Sequence, residues 1–189
     1  MKATSTGLLQ RDGLRRLLVR LRAPIAVAGL LLLASFARRD WLGAGFAVSM
    51  LGELVQVWCF ASLDKNATLA ARGPYAMVPN PMYLGRFLIL FGFVMTLGNA
   101  LLLVAYSAAY WAYMDARVQR EEAHLKPIFG AAYDDYCRRV RRFVPGWPAT
   151  GERVAFWDWR CFRQNNAGRN LAITLVAWAA LAAWVLTRG

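Results

Sequence analysis

Arg117, Glu121 and Glu122 lie in the run from Asp115 to Gly130, where a helix would set Arg117 and Glu121 on one face, four residues apart. Glu122 is then turned about 100° away. One carboxylate can pair with the guanidinium while the other serves a ligand, so two carboxylates can hold two roles. A solvated helix face with an ordinary ion pair, worth less than about 1 kcal/mol, has the same spacing. A second candidate is the stretch from Arg72 to Gly85, which holds Pro74, Pro79 and Pro81. Each proline pushes its predecessor out of the helical region, so residues 73–80 are expected to be extended. Helix then begins with Asn80 at the N-cap and Pro81 at the first helical position. The first-turn amides and the positive end of the dipole face outward there and can receive an anionic group. A plain helix start has the same grammar.

The elements that must carry these residues are apolar. Of 189 residues, 58% are hydrophobic and only 18% charged, a balance that points to an integral membrane protein. Apolar segments fall near residues 23–37, 41–63, 82–97, 101–115 and 171–187. A bilayer core needs roughly 20 helical residues, which the second segment supplies comfortably and the others approach. The expected fold is therefore all-α, a polytopic membrane bundle of about five transmembrane helices, with a cofactor site on the cytoplasmic side of its C-terminal half. Leu97-Gly98-Asn99-Ala100 is a turn signal that makes residues 82–115 a tight hairpin, either spanning or re-entrant. The first segment also resembles a signal peptide, but a second span begins four residues later, which favours a retained hairpin.

Charge sets the orientation. With the N-terminus inside, 20 of the 23 Lys and Arg residues fall in residues 1–22, 64–86 and 116–170, leaving Arg38, Arg39 and Arg188 outside. The expected location is the cytoplasmic (inner) membrane, N-terminus inside and C-terminus outside. That distribution accounts for the net charge of +12 without nucleic acid as a partner. Cys59, Cys137, Cys161 and the single His124 offer no zinc spacing, so no metal site is expected.

After Gly130, a helix stop, Tyr133, Tyr136, Val140 and Phe143 recur at helical spacing with arginines on the other faces, which by itself describes a membrane-surface helix. Glu53, one turn from Gln56, sits inside the second span, where a carboxylate is costly enough to suggest function. Glu53 and Arg86 are candidates for the substrate side. They either line an acceptor tunnel or pair with each other, or Glu53 bonds a neighbouring helix. Gly43, Ala44 and Gly45 are expected to permit close helix packing.

Gly73-Pro74-Tyr75, Asn80-Pro81-Met82-Tyr83-Leu84-Gly85, and Glu121-Glu122 with Leu125, Phe129-Gly130, Tyr133, Tyr136 and Val140 through Pro145 together resemble the isoprenylcysteine carboxyl methyltransferase and phospholipid methyltransferase group. The resemblance covers residues 70–147, the methyltransferase core region of a single membrane domain 1–189. Residues 148–189, a linker and a last span, lie beyond it. Pro79 and Asn80 stand where the group's pattern has Arg-His, so a contact from that imidazole passes to the Asn80 amide or is lost.

The resemblance implies an enzyme that transfers methyl from S-adenosylmethionine to a lipidic or amphiphilic small acceptor, with an isoprenylcysteine-type carboxylate slightly favoured. It places Arg117 and Glu121 at the acceptor as catalytic residues. The cofactor has an adenine, a ribose diol, a sulfonium and an amino-acid end. Tyr83, Tyr133 and Tyr136 can line an apolar slot and favour the sulfonium, Glu122 can accept from hydroxyls or amine, and the helix start at Asn80 to Gly85 can take the carboxylate. Two other classes fit the composition: a sterol-reductase-type membrane enzyme using NADPH, and a non-catalytic basic adaptor for membrane lipids. Oligomeric state is left open.

Overall fold

A computed structural model describes residues 34–64, 71–140, 146 and 154–188, with Leu21, Pro24, Ala28, Gly29 and Leu32. The described residues form helices, turns and irregular segments, with no strand among them. The expected first span lies mostly outside the described residues, as do Phe143 and Pro145. The α-helices are α1 (Leu42–Ser62), α2 (Pro81–Met95), α3 (Ala100–Phe129), α4 (Ala131–Arg139), α5 (Trp159–Gln164) and α6 (Ala167–Thr187), and residues Gly73–Ala76, expected to be extended, form a 3-10 turn that Pro74 starts. Two are long and apolar enough to cross a membrane: α1 with the turn before it, and α6. The 15 residues of α2 are fewer than the usual span, and α3 continues as one helix from the apolar stretch at 101–115 into the charged run that follows.

The contact between α1 and α2 rests on missing side chains. A Cβ on Gly52 would lie 2.6 Å from the Gly85 carbonyl oxygen, and one on Gly45 would lie 2.5 Å from that of Gly92. Each helix thus supplies two glycines seven residues apart, in antiparallel register. Between them the Ser49 hydroxyl donates to the Ile89 carbonyl at 2.7 Å. Small residues that bring backbones together are how apolar helices associate where lipid cancels the hydrophobic drive. Gly45 fulfils the packing expectation, whereas a Cβ on Gly43 would meet nothing within 4 Å.

The turn forms where the sequence signals it. Gly98 has φ +60°, and the Asn99 side chain caps α3 by accepting from the Leu101 and Leu102 amides at 2.9 and 3.2 Å. Gly130, with φ +51°, ends α3 and allows α4 to fold back. Tyr133, Tyr136 and Val140 are buried against Ala71, Leu125 and Phe129. The stripe expected to lie on the membrane surface is therefore covered by protein, and the buried Tyr136 hydroxyl donates to the Tyr75 carbonyl at 2.7 Å.

The last segment closes the far end of α1. The Asp158 amide donates to the Ala61 carbonyl at 3.0 Å, and the Asn165 side chain donates to Phe60 and Leu63 carbonyls at 2.9 and 2.7 Å. These bonds take up carbonyls that a helix C-terminus leaves unpaired. From there α6 runs antiparallel along α1, with Trp178 stacked on Phe93 at 4.5 Å and edge-on to Phe46 at 5.6 Å.

Candidate functional site

Tyr83 lies in the first turn of α2, pointing away from the glycine seam, because a residue two positions from Gly85 is turned some 200° around the helix. Its hydroxyl donates to Glu121 Oε2 at 3.1 Å across to α3. About three turns earlier on α3, the Tyr110 hydroxyl donates to the Tyr83 carbonyl at 2.7 Å, and Tyr106 likewise donates to the Phe87 carbonyl at 3.1 Å. The two sequence motifs, 38 residues apart, thus meet at one hydrogen bond.

Charges collect around that bond. The Arg86 guanidinium carbon is 5.9 Å from the Tyr83 ring centroid. Hydrogen bonding to the Tyr83 hydroxyl, followed by the charges of Tyr83 and Tyr113, raises the pKa of the exposed Arg117, which is therefore a cation throughout the working range. Burial pushes the Tyr75 phenol well up, with Cys59, Glu121 and Tyr136 adding to it and Arg86 opposing. Burial also raises the Tyr133 phenol, with Cys137, Glu122 and Glu121 adding in that order. Both phenols accordingly stay protonated and can donate.

Tyr83, Arg86, Arg117 and Glu121 are therefore brought together, and Tyr133 on α4 stands near the acidic doublet with the Tyr136 ring 6.3 Å from its own. Glu122 is half-buried beside them. Asn80 occupies the N-cap position without a side-chain capping bond; its carbonyl accepts from the Tyr83 amide at 3.2 Å. Its φ of −128° and ψ of 56° depart from the usual capping geometry, leaving the carboxamide unspent on its own helix.

Two expected site residues pack elsewhere. Gly85 packs into α1 against Gly52 and Gln56. Glu53 is buried and its Oε2 accepts from the Thr174 hydroxyl of α6 at 2.9 Å, so of the expected arrangements the bond to a neighbouring helix is the one formed, and Arg86 faces Tyr83 instead. Cys161 is buried whereas Cys137 is exposed, so only the latter presents its thiol to solvent. Sequence reasoning missed Tyr75 and Tyr110 as site residues. Tyr75 belongs to the Gly73-Pro74-Tyr75 motif, and Tyr110 carries no local signal. Among the described residues no group of three or more His, Cys, Asp or Glu side chains gathers around a common point.

Helices that suit a bilayer and a polar tyrosine, arginine and glutamate cluster at the mouth of a helical hairpin define a class of membrane-embedded proteins. The family model for phospholipid methyltransferase matches residues 26–132, more than half the chain, and the chain belongs to that family. Curated relatives include protein-S-isoprenylcysteine O-methyltransferase of Schizosaccharomyces pombe, 34% identical over 43% of this chain and 35% of the relative. The Xenopus laevis protein of the same name is 35% identical over 56% of this chain and 41% of the relative. The nickel-cobalt-cadmium resistance protein NccN of Alcaligenes xylosoxydans xylosoxydans is 30% identical over 66% and 62%. The chain thus spans between about a third and under two thirds of the length of these relatives.

Proposed function

We propose that the chain is an S-adenosylmethionine-dependent integral membrane methyltransferase whose acceptor is lipidic or amphiphilic, with an isoprenylcysteine-type carboxylate favoured. The observation that carries this is the Tyr83 to Glu121 hydrogen bond, which joins the proline-bounded helix start to the acidic doublet. Family membership and the isoprenylcysteine methyltransferases among the relatives support the same reading.

The residues fit the cofactor. Arg86 already lies over the Tyr83 ring, the placement a cation takes on a tyrosine face, and a sulfonium favours the same kind of surface on Tyr133 or Tyr136. Glu122 accepts from ribose hydroxyls or the amine. Asn80, whose carboxamide is not spent on capping, and the α2 start hold the carboxylate end. The cofactor supplies an electrophilic methyl on sulfur, and charge is neutralised as it leaves, so alignment and exclusion of water matter more than a strong acid. Arg117 orients an anionic acceptor. Glu121, fixed by Tyr83, positions the acceptor atom or takes its proton when the acceptor is an amine or thiol. Phe87, Phe91, Tyr106 and Tyr110 form a ring cluster that keeps the mouth of the α2–α3 hairpin dry. Gly85 supports the site by letting α2 lie against α1, and Glu53 serves the α1–α6 contact.

The proposed setting is five spans in the cytoplasmic membrane with the site facing the cytoplasm, supported by the 20-to-3 distribution of basic residues. Residues 148–189 then add a strap and a last span to the 70–147 core. In detergent, Glu122→Gln should weaken S-adenosylhomocysteine binding about tenfold or more, since a bond to a charged acceptor is lost. NADPH should not compete. Unchanged affinity would remove Glu122 from the site, and displacement by NADPH would replace the methyltransferase with a reductase.

A further inference from the structure

The start of α1 borders a cavity of about 610 Å³ between α1 and α6. Arg39, Leu42, Gly43 and Phe46 line one wall and Leu175, Ala179, Ala182 and Leu186 the other, with Trp178 between them. Both walls repeat at three and four residues, so each is one helical face. The trough exists because Gly43, Ala179 and Ala182 are small where the helices face each other. The neighbouring face of α6, with Leu181 and Val185, packs into the core with Ala34 and Phe93, and Trp178 borders both core and trough. The volume lies within the range of ligand pockets.

We propose that this trough binds one acyl chain of an anionic glycerophospholipid, with Arg39 on the phosphate and Trp178 donating to an ester oxygen. Three observations carry it. Arg39 is exposed at the rim, and among the described residues it has no ion pair, whereas its neighbours are committed: Arg38 to Asp40 at 3.4 Å, Arg188 to the Ser35 carbonyl at 3.1 Å and to the Trp184 ring. Trp178 is 3% exposed, and its Nε1 has no acceptor among the described residues, a costly state that an ester oxygen would relieve. Finally, α1 and α2 run antiparallel with Gly52 against Gly85, which sets Tyr83 level with about Leu54, roughly 18 Å along α1 from Leu42, so Arg39, just before Leu42, stands at the end of the span away from Tyr83 and Glu121. The trough is therefore separate from the cluster of Tyr83, Arg117 and Glu121.

The test is native mass spectrometry of the full chain in a neutral detergent, titrated with dioleoyl phosphatidylglycerol or dioleoyl phosphatidylcholine. One phosphatidylglycerol should bind at least tenfold more tightly than phosphatidylcholine. Arg39→Gln should erase that preference, and Ala182→Trp should weaken both lipids tenfold with methyl transfer retained. Gly43→Leu fills the same trough and replaces Ala182→Trp if that variant does not fold. Equal binding of the two lipids, or a preference that survives Arg39→Gln, overturns the proposal in favour of ordinary annular lipid. A dimer that Ala182→Trp breaks while lipid binding stays intact assigns the trough to a second copy instead.

Discussion

Glu121→Ala lowers kcat by at least about a hundredfold and leaves S-adenosylhomocysteine affinity within about threefold of the parent protein, if Glu121 acts on the acceptor. The expectation follows from geometry. Glu121 accepts from Tyr83 across the α2–α3 hairpin, on the same helical face as Arg117, while Glu122, about 100° further around α3, bears on Tyr133 of α4. Removing the carboxylate deprives the acceptor of its positioning group and leaves the tyrosine slot and the helix start intact. Tyr83→Phe is the graded companion. It keeps the ring over which Arg86 lies and deletes only the bond that holds Glu121, so turnover should fall about tenfold, the loss of one hydrogen bond to a charged group. A steady-state kcat measured beside equilibrium binding separates the outcomes. Loss of binding with loss of turnover in Glu121→Ala would move Glu121 from the acceptor to the cofactor.

Gly52→Ala is expected to damage the whole bundle. Its Cβ would come within 2.6 Å of the Gly85 carbonyl oxygen and 2.7 Å of the Ile89 amide nitrogen, and neither is a flexible side-chain end. The helices must part, and the Ser49 bond to Ile89 stretches with them. An overpacking cost of about 3 kcal/mol corresponds to a fall of roughly 10 °C in apparent Tm for a chain of this size. Gly43→Ala, which meets nothing within 4 Å, should leave Tm unchanged and provides the control. Equal melting of the two variants would mean that the seam does not hold α1 to α2.

Much of the local grammar was legible because it depends on neighbours in sequence. The turn at Leu97-Gly98-Asn99-Ala100, the stop at Gly130 and the start at Pro81 are each set by one glycine or proline within a few residues. Arg117 and Glu121 shared a face for the same reason. What covers a face is a different question. The stripe of Tyr133, Tyr136 and Val140 is amphipathic whether lipid or protein lies on it, and only the chain path from Ala71 to Tyr75 decides for protein. Glu53 was visible as a costly carboxylate, but Thr174 lies 121 residues away and nothing in spacing could have named it. Gly85 looked like a motif residue, and its burial against Gly52 shows that a motif glycine can serve packing while Tyr83, two residues earlier, faces the site. Asn80 had a capping residue's chemistry, yet the constrained turn between Pro79 and Pro81 holds it out of capping geometry.

The central claim is that the start of α2 and the acidic doublet of α3 enclose one methyl donor. Its most direct test is photo-crosslinking of radiolabelled S-adenosylmethionine to the purified chain, followed by peptide mapping. Label is expected within residues 73–86 and 117–136, both protected by unlabelled S-adenosylhomocysteine. Label confined to α6, or no protectable label at all, would contradict it.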